Sequence, residues 1–125
     1  MTDKTPSEIK LHTESRQMEL IFDGQSYQLS YEFLRVFSPS AEVKGHGTPI
    51  LQTGKRFVTI RNVEPIGNYA IKIVFDDGHD SGLYSWSYLF ELCTQQETLW
   101  QQYLAQLEAA GARREPKTIG TWKPE

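Results

Sequence analysis

The alternation of apolar and polar positions sets the first half of the chain as strands. Ile9 and Leu11 alternate with Lys10 and His12, and Met18, Leu20 and Phe22 repeat the pattern before Tyr27 and Leu29 resume it. A period of two puts one side of a strand on a core and the other toward water. Asp23-Gly24 sits between the second and third runs, and such a pair favours the positive φ angles of a tight hairpin. The pattern therefore predicts an antiparallel meander. Ser30 then offers a hydroxyl to the free amides of a helix start, with Glu32 in the first turn, so YEFLRVF reads as a short helix that Pro39 stops.

Residues 41–56 have little period and carry three glycines and one proline, which predicts a long loop. Two strands are expected at 57–63 and 69–75, followed by a turn, DDGHDSG, and a short strand around Leu83 and Tyr84. Ser85 is a candidate cap for a helix through Trp86, Leu89, Phe90 and Cys93. Thr94 and Glu97 have capping-box spacing, so either a second helix begins there or the first one bends. Leu99, Trp100, Tyr103, Leu104 and Leu107 form a helical stripe suited to core or interface packing, and Gly111 is a natural stop. The sum is an α+β fold: a small antiparallel or mixed sheet, a short helix and a longer C-terminal helical segment. A chain of 125 residues suits one core, so a single domain is expected over 1–111. Residues 112–125, without period and with two prolines, are expected to be a disordered tail.

Charge and composition narrow the function classes. A net charge of −3 and a pI near 5.6 argue against a dedicated nucleic-acid binder, which needs surplus Lys and Arg against phosphates. No run approaches the ~20 apolar residues of a membrane span, and MTDKTPSEIK lacks the apolar stretch of a signal peptide, so a soluble cytoplasmic protein is expected. The one cysteine, Cys93, sits in the apolar run SYLFELC and reads as buried filler.

Candidate chemistry is sparse. Gly45-His46-Gly47 lacks the third glycine of a dinucleotide fingerprint, Gly54-Lys55-Arg56 lacks the remainder of a P-loop, and DDGHD lacks the spacing of a calcium loop. Asp76, Asp77, His79 and Asp80 do set three carboxylates beside an imidazole, enough for a general base or a metal site. The competing reading is a polar turn in which Asp and Gly serve the backbone.

The run VEPIGNYAIKIVFDDGHDSGLYSWSYLFEL, preceded by LRVFSPSAEV, resembles the gamma-butyrobetaine hydroxylase N-terminal-like domain, also catalogued as a domain of unknown function. The similarity covers residues 6–93, and its most specific piece is G-x-Y-A-I followed by DDGH-x-S-G-x-Y. The chain looks like a stand-alone, bacterial-type member. In the hydroxylases the resemblance implies an α+β domain with a structural zinc, held by a Cys-Pro-Cys-x-x-Cys segment and the histidine of the DGH turn. The three cysteine positions fall here on Ser38, Ser40 and Val43, and only His79 remains. Hydroxyls are poor zinc ligands beside thiolates and valine is none, so no cofactor is expected. The alternative is a modified zinc or iron site using His79 and His46. The catalytic barrel of the hydroxylases is absent from this chain, so no catalytic residue is assigned. Similar domains are also fused to P-loop ATPases of iron–sulfur assembly, which extends the analogy to an accessory role in metal-cofactor maturation.

Three functions stand in order. The first is a non-enzymatic binding or adaptor domain for a protein partner, contacted through Arg35, Ser38, Ser40, Lys44, His46, Asp77 and His79, or through a sheet edge. The second is a metal-binding domain with a modified site. The third is an enzyme using His79 with Asp76, Asp77 or Asp80 as base.

Overall fold

The structure, a computed structural model, describes residues 4–45 and 49–116. The loop histidine His46 lies outside them. Three strands, β1 (Glu8–His12), β2 (Gln17–Phe22) and β3 (Gln25–Ser30), form the expected antiparallel meander. Met18 pairs with Leu29 and Leu20 with Tyr27. Asp23 and Gly24 form the two-residue turn, with φ of 51° and 79°, the geometry that matches strand twist. Met18, Leu20 and Phe22 are buried, as their alternation requires.

Ser30 accepts the amide of Phe33 at 3.0 Å and so starts helix α1 (Tyr31–Val36). Every residue of α1 is buried, including Glu32 and Arg35. The helix stops at Phe37, two residues before Pro39. A second sheet follows in the order β4 (Ile60–Ile66), β5 (Ala70–Phe75), β6 (Leu83–Ser85), all antiparallel. Pro65 is tolerated because β4 is an edge strand. Ser85 accepts the amide of Tyr88 at 3.1 Å to start α3 (Trp86–Thr94), and the last element among the described residues is the long helix that follows it (Gln96–Ala110).

One buried cluster draws on both sheets and on the helices between them: Met18, Leu20, Phe22, Phe33, Leu34, Ile73, Phe75, Tyr84 and Leu89 all belong to it. Each large apolar side chain fully removed from water contributes roughly 1.5–3 kcal/mol before chain entropy is counted. The stripe of the long helix packs as anticipated, with Tyr103 and Leu107 joining Val36 in a smaller cluster.

Four sequence expectations need correction. The first strand of the second sheet starts at Ile60, three residues later than expected, because Val58 bonds back to Lys55 and leaves Phe57 exposed on a turn. The loop at 41–56 contains one helical turn, α2 (Ala41–Lys44), begun at Ser40 and closed at Gly45 with φ 64°. Thr94 caps nothing: its hydroxyl donates to the Glu91 carbonyl of its own helix, and Gln95 is the junction from which the last helix, α4, begins. Finally, of the tail expected over 112–125, residues 117–125 lie outside the described residues, and residues 112–116 are held to the body. After Gly111 takes a left-handed conformation, Ala112 bonds Leu107, the Arg113 carbonyl accepts from Gly54, and Arg114 pairs with the buried Glu32.

Candidate functional site

The DGH turn is wound by its own backbone. Phe75 donates to the His79 carbonyl at 2.9 Å, Gly78 to the Phe75 carbonyl at 3.2 Å, and Gly78 has φ 90°. Asp77 Oδ1 accepts the His79 amide at 3.1 Å, a local turn that Asp favours. The winding carries the imidazole inward: His79 is 5% exposed, with its ring 6.2 Å from that of Phe75. The residue at the end of a polar turn is thus part of the interior.

Two serines meet it there. Ser38 Oγ lies 2.8 Å from His79 Nε2 and Ser40 Oγ lies 3.3 Å from the same nitrogen. Ser38 Oγ also accepts the Ser40 amide at 3.3 Å. Both serines are buried, Ser38 at 1% exposure. The end of α1, broken before Pro39, presents the first hydroxyl, and the start of α2 presents the second. Gly82 closes the far side: a Cβ there would stand 2.4 Å from Ser38 Oγ.

Further ties hold the same two segments together. Tyr84 donates its hydroxyl to the Leu34 carbonyl and Tyr88 to the Phe37 carbonyl, each at 2.5 Å, satisfying carbonyls at the end of α1. Arg35 donates through Nε to Asp77 at 2.9 Å and through Nη1 to Gln52 at 3.0 Å, while Lys55 reaches Asp77 at 2.8 Å. Burial alone would raise the Asp77 pKa. The Lys55 hydrogen bond, the His79 amide and the Arg35 charge overcome it and bring the carboxyl down to about 2. Burial pushes the Tyr88 and Tyr103 hydroxyls up to about 12, so both stay neutral donors.

The structure thus gathers Arg35, Ser38, Ser40, Asp77 and His79 at one place, with Asp77 at its exposed edge and the other four buried. Lys44 is exposed, with its ammonium 5.1 Å above the Tyr88 ring. Val43 is 7% exposed and packs as a hydrophobe. The carboxylates do not form a catalytic constellation. Asp76 receives the Thr59 amide, Asp77 faces Arg35, Lys55 and the His79 backbone, and Asp80 is exposed. The Ser38–His79 pair has nucleophile–base spacing, but Ser38 is 1% exposed and packed against Gly82, the Ser40 amide and the imidazole. Cys93 is buried, and burial pushes its thiol up to about 12, far from thiolate chemistry.

A structural zinc does not fit these residues. One imidazole nitrogen, two hydroxyls already bonded to it, and a valine offer a single good ligand where four are needed. Among the described residues no three His, Cys, Asp or Glu side chains come together as a metal-binding group.

Beside the cluster opens a cleft of about 690 Å³, walled by Phe37, Ser38, Val43, Ile50, Leu51, Tyr88 and Tyr103 among others. Tyr103 donates to the Gln52 carbonyl at 2.7 Å, so this wall also ties the loop to α4. Sequence reasoning missed Gln52, Lys55, Gly82, Tyr84, Tyr88 and Tyr103. Their partners lie far along the chain, up to 51 positions away for Tyr88 and Tyr103, and no local period encodes such pairings.

Two solution structures determined by NMR resemble this chain. One is 50% identical with a TM-score of 0.84, over 99% of this chain and 100% of that one. The other is 53% identical with a TM-score of 0.79, over 98% of this chain and 93% of that one. A crystal structure of a DUF971-family protein of unknown function from Acidithiobacillus ferrooxidans is 38% identical with a TM-score of 0.59, over 70% of this chain and 91% of that one. No curated protein matches the sequence. Among the described residues no helix is long and apolar enough to cross a membrane. The sequence profile described as "Gamma-butyrobetaine hydroxylase-like, N-terminal" matches residues 9–90, more than half the chain, and with these three structures it shows that the chain belongs to that family.

Proposed function

We propose that the protein is a non-enzymatic binding module that takes an apolar segment of a protein partner into the cleft lined by Phe37, Val43, Ile50, Leu51, Tyr88 and Tyr103. The observation that carries this reading is the make-up of the walls. Phe37, Val43, Ile50 and Leu51 are hydrocarbon, and the hydroxyls of Tyr88 and Tyr103 are spent on the Phe37 and Gln52 carbonyls, which leaves their rings for apolar contact. Ile50 is 54% exposed at the rim. Among the described residues of the lining Lys44 carries the charge, which suits a partner segment with an acidic residue beside its apolar anchor.

The buried polar cluster supports the reading from the other side. It gives the cleft a fixed wall, and pre-organisation of that kind lowers the entropy lost on binding. The family analogy set out above makes a component of metal-cofactor maturation the partner class to try first. The test compares partners recovered from the native cell by tagged wild type, by Ile50→Glu in the cleft and by Tyr69→Ser, an exposed aromatic on the second sheet. A protein retained by Tyr69→Ser but lost with Ile50→Glu, and shown by titration of the purified pair to shift cleft amides, is the expected result. Equal recovery by all three would remove the cleft as the binding surface.

A further inference from the structure

We infer that Ser38, Ser40 and His79 form a metal-free clamp in the place of a metal site, on a backbone that still holds ligand geometry. Thiols at positions 38, 40 and 43 would then recruit a soft tetrahedral divalent cation such as zinc. This goes beyond the binding reading and does not depend on it.

The first argument is convergence. Two hydroxyls from separate helix ends reach one imidazole nitrogen, at 2.8 and 3.3 Å. In a tetrahedral site with Zn–N near 2.0–2.1 Å and Zn–S near 2.3 Å, nitrogen and sulfur stand roughly 3.5 Å apart. The observed spacings are shorter than that, and because a Cβ–S bond is longer than Cβ–O, the thiols would turn away from the imidazole by a rotamer change to open room for the ion. The third position follows from α2. Ser40 is the residue before the single turn and Val43 the third residue within it, with Val43 and Lys44 both bonding the Ser40 carbonyl. Side chains at those two places share a face of a helix start, as capping boxes do. Val43 is buried and lines the same cleft as Ser38.

The second argument is support around the cluster. The Ser40 amide already donates to the atom at position 38, the kind of backbone bond that steadies a thiolate ligand. Gly82 leaves the space that Ser38 Oγ fills. Without a metal, hydrogen bonds to one imidazole are a weaker tie than four coordinate bonds. The Tyr84–Leu34, Tyr88–Phe37 and Arg35–Asp77–Lys55 links join the same segments and make up the difference.

The experiment uses the full chain in three forms: wild type, Ser38→Cys/Ser40→Cys/Val43→Cys, and the triple variant with His79→Ala added. Wild type should purify without stoichiometric metal, and neither chelator nor one equivalent of zinc should move its Tm. The triple variant should take up one zinc per chain, at least about a hundredfold tighter than wild type, and give the visible absorption of tetrahedral thiolate-bound cobalt(II). Adding His79→Ala should weaken that binding roughly tenfold or more. If the triple variant is unfolded without metal, zinc should fold it, since ligation and folding are then coupled. Four results would overturn the inference: wild type that carries about one metal per chain or loses Tm on chelation; a folded triple variant that binds no tighter than wild type; a triple variant that stays unfolded in zinc; or binding indifferent to His79→Ala.

Discussion

Replacing Gly82 by alanine tests the packing of the cluster at its tightest point. Gly82 has no positive φ, so alanine meets no backbone strain there, and any cost is steric. The new Cβ would stand 2.4 Å from Ser38 Oγ and 3.3 Å from Pro39 Cδ and Tyr84 Cε1. Ser38 Oγ cannot give way freely, because it is buried between His79 Nε2 at 2.8 Å and the Ser40 amide at 3.3 Å. Rotating it out strands buried polar atoms at about 1–3 kcal/mol, and residual overpacking adds about 1 kcal/mol or more. A loss of about 2–4 kcal/mol is expected, equivalent to roughly 6–15 °C in Tm for a chain of this size. Urea titration followed by tryptophan fluorescence and far-UV circular dichroism measures it, provided the two probes coincide. The decisive comparison is a double-mutant cycle with Ser38→Ala. Without Oγ, the nearest atoms to the new methyl are at 3.3 Å, so the second substitution should relieve the first. The cycle should show coupling of roughly 2 kcal/mol, with the double variant more stable than the sum of the single changes implies. Additivity to within about 0.5 kcal/mol would refute the steric account of Gly82 and the close packing of the cluster.

Two further outcomes follow from the ion pairs. Asp77 has a folded pKa of about 2 against an ordinary 3.8, so it contributes stability above about pH 4 that is lost as the pH falls from there toward 2. Allowing for its partial exposure, Asp77→Asn should cost about 1–2 kcal/mol at pH 6, and the two proteins should converge in urea midpoint near pH 2; a pH-independent gap would place the loss elsewhere. Arg114→Ala removes the bidentate partner of Glu32, whose two oxygens accept from Arg114 at 3.0 and 2.7 Å in a site where Glu32 is 5% exposed. Leaving that carboxylate buried and unmatched should destabilise by about 2–4 kcal/mol, with part of the loss recovered by adding Glu32→Gln, and a change within about 0.5 kcal/mol would show that residues 112–116 do not brace the fold.

The cluster was legible in the sequence as a set of positions. The resemblance brought Ser38, Ser40 and His79 together, and the hydroxyls at the first two positions led to the expectation of no zinc, since side-chain chemistry is independent of the fold. How these side chains meet could not be read, because hydroxyl-to-imidazole distances and the orientation of Tyr84 and Tyr88 depend on segments about 40 to 50 positions apart. The same limit explains the misplaced cap at Thr94. Thr and Glu at the right spacing are necessary for a capping box, but α3 runs through Thr94, and the hydroxyl finds its own helix carbonyl first.

Local chemistry settled the rest of the frame. Alternation at Met18, Leu20 and Phe22, Asp23-Gly24 at a hairpin, serine before α1 and α3, and glycine after α4 each act within a few residues. Strands, turns and helix ends were therefore determined by the sequence itself. Tertiary structure decided what lies between them. It turned His79 from a surface turn into the interior, laid residues 112–116 against Glu32 and Gly54, and opened a cleft beside the loop, because burial and long-range pairing arise only when separate elements pack on one core.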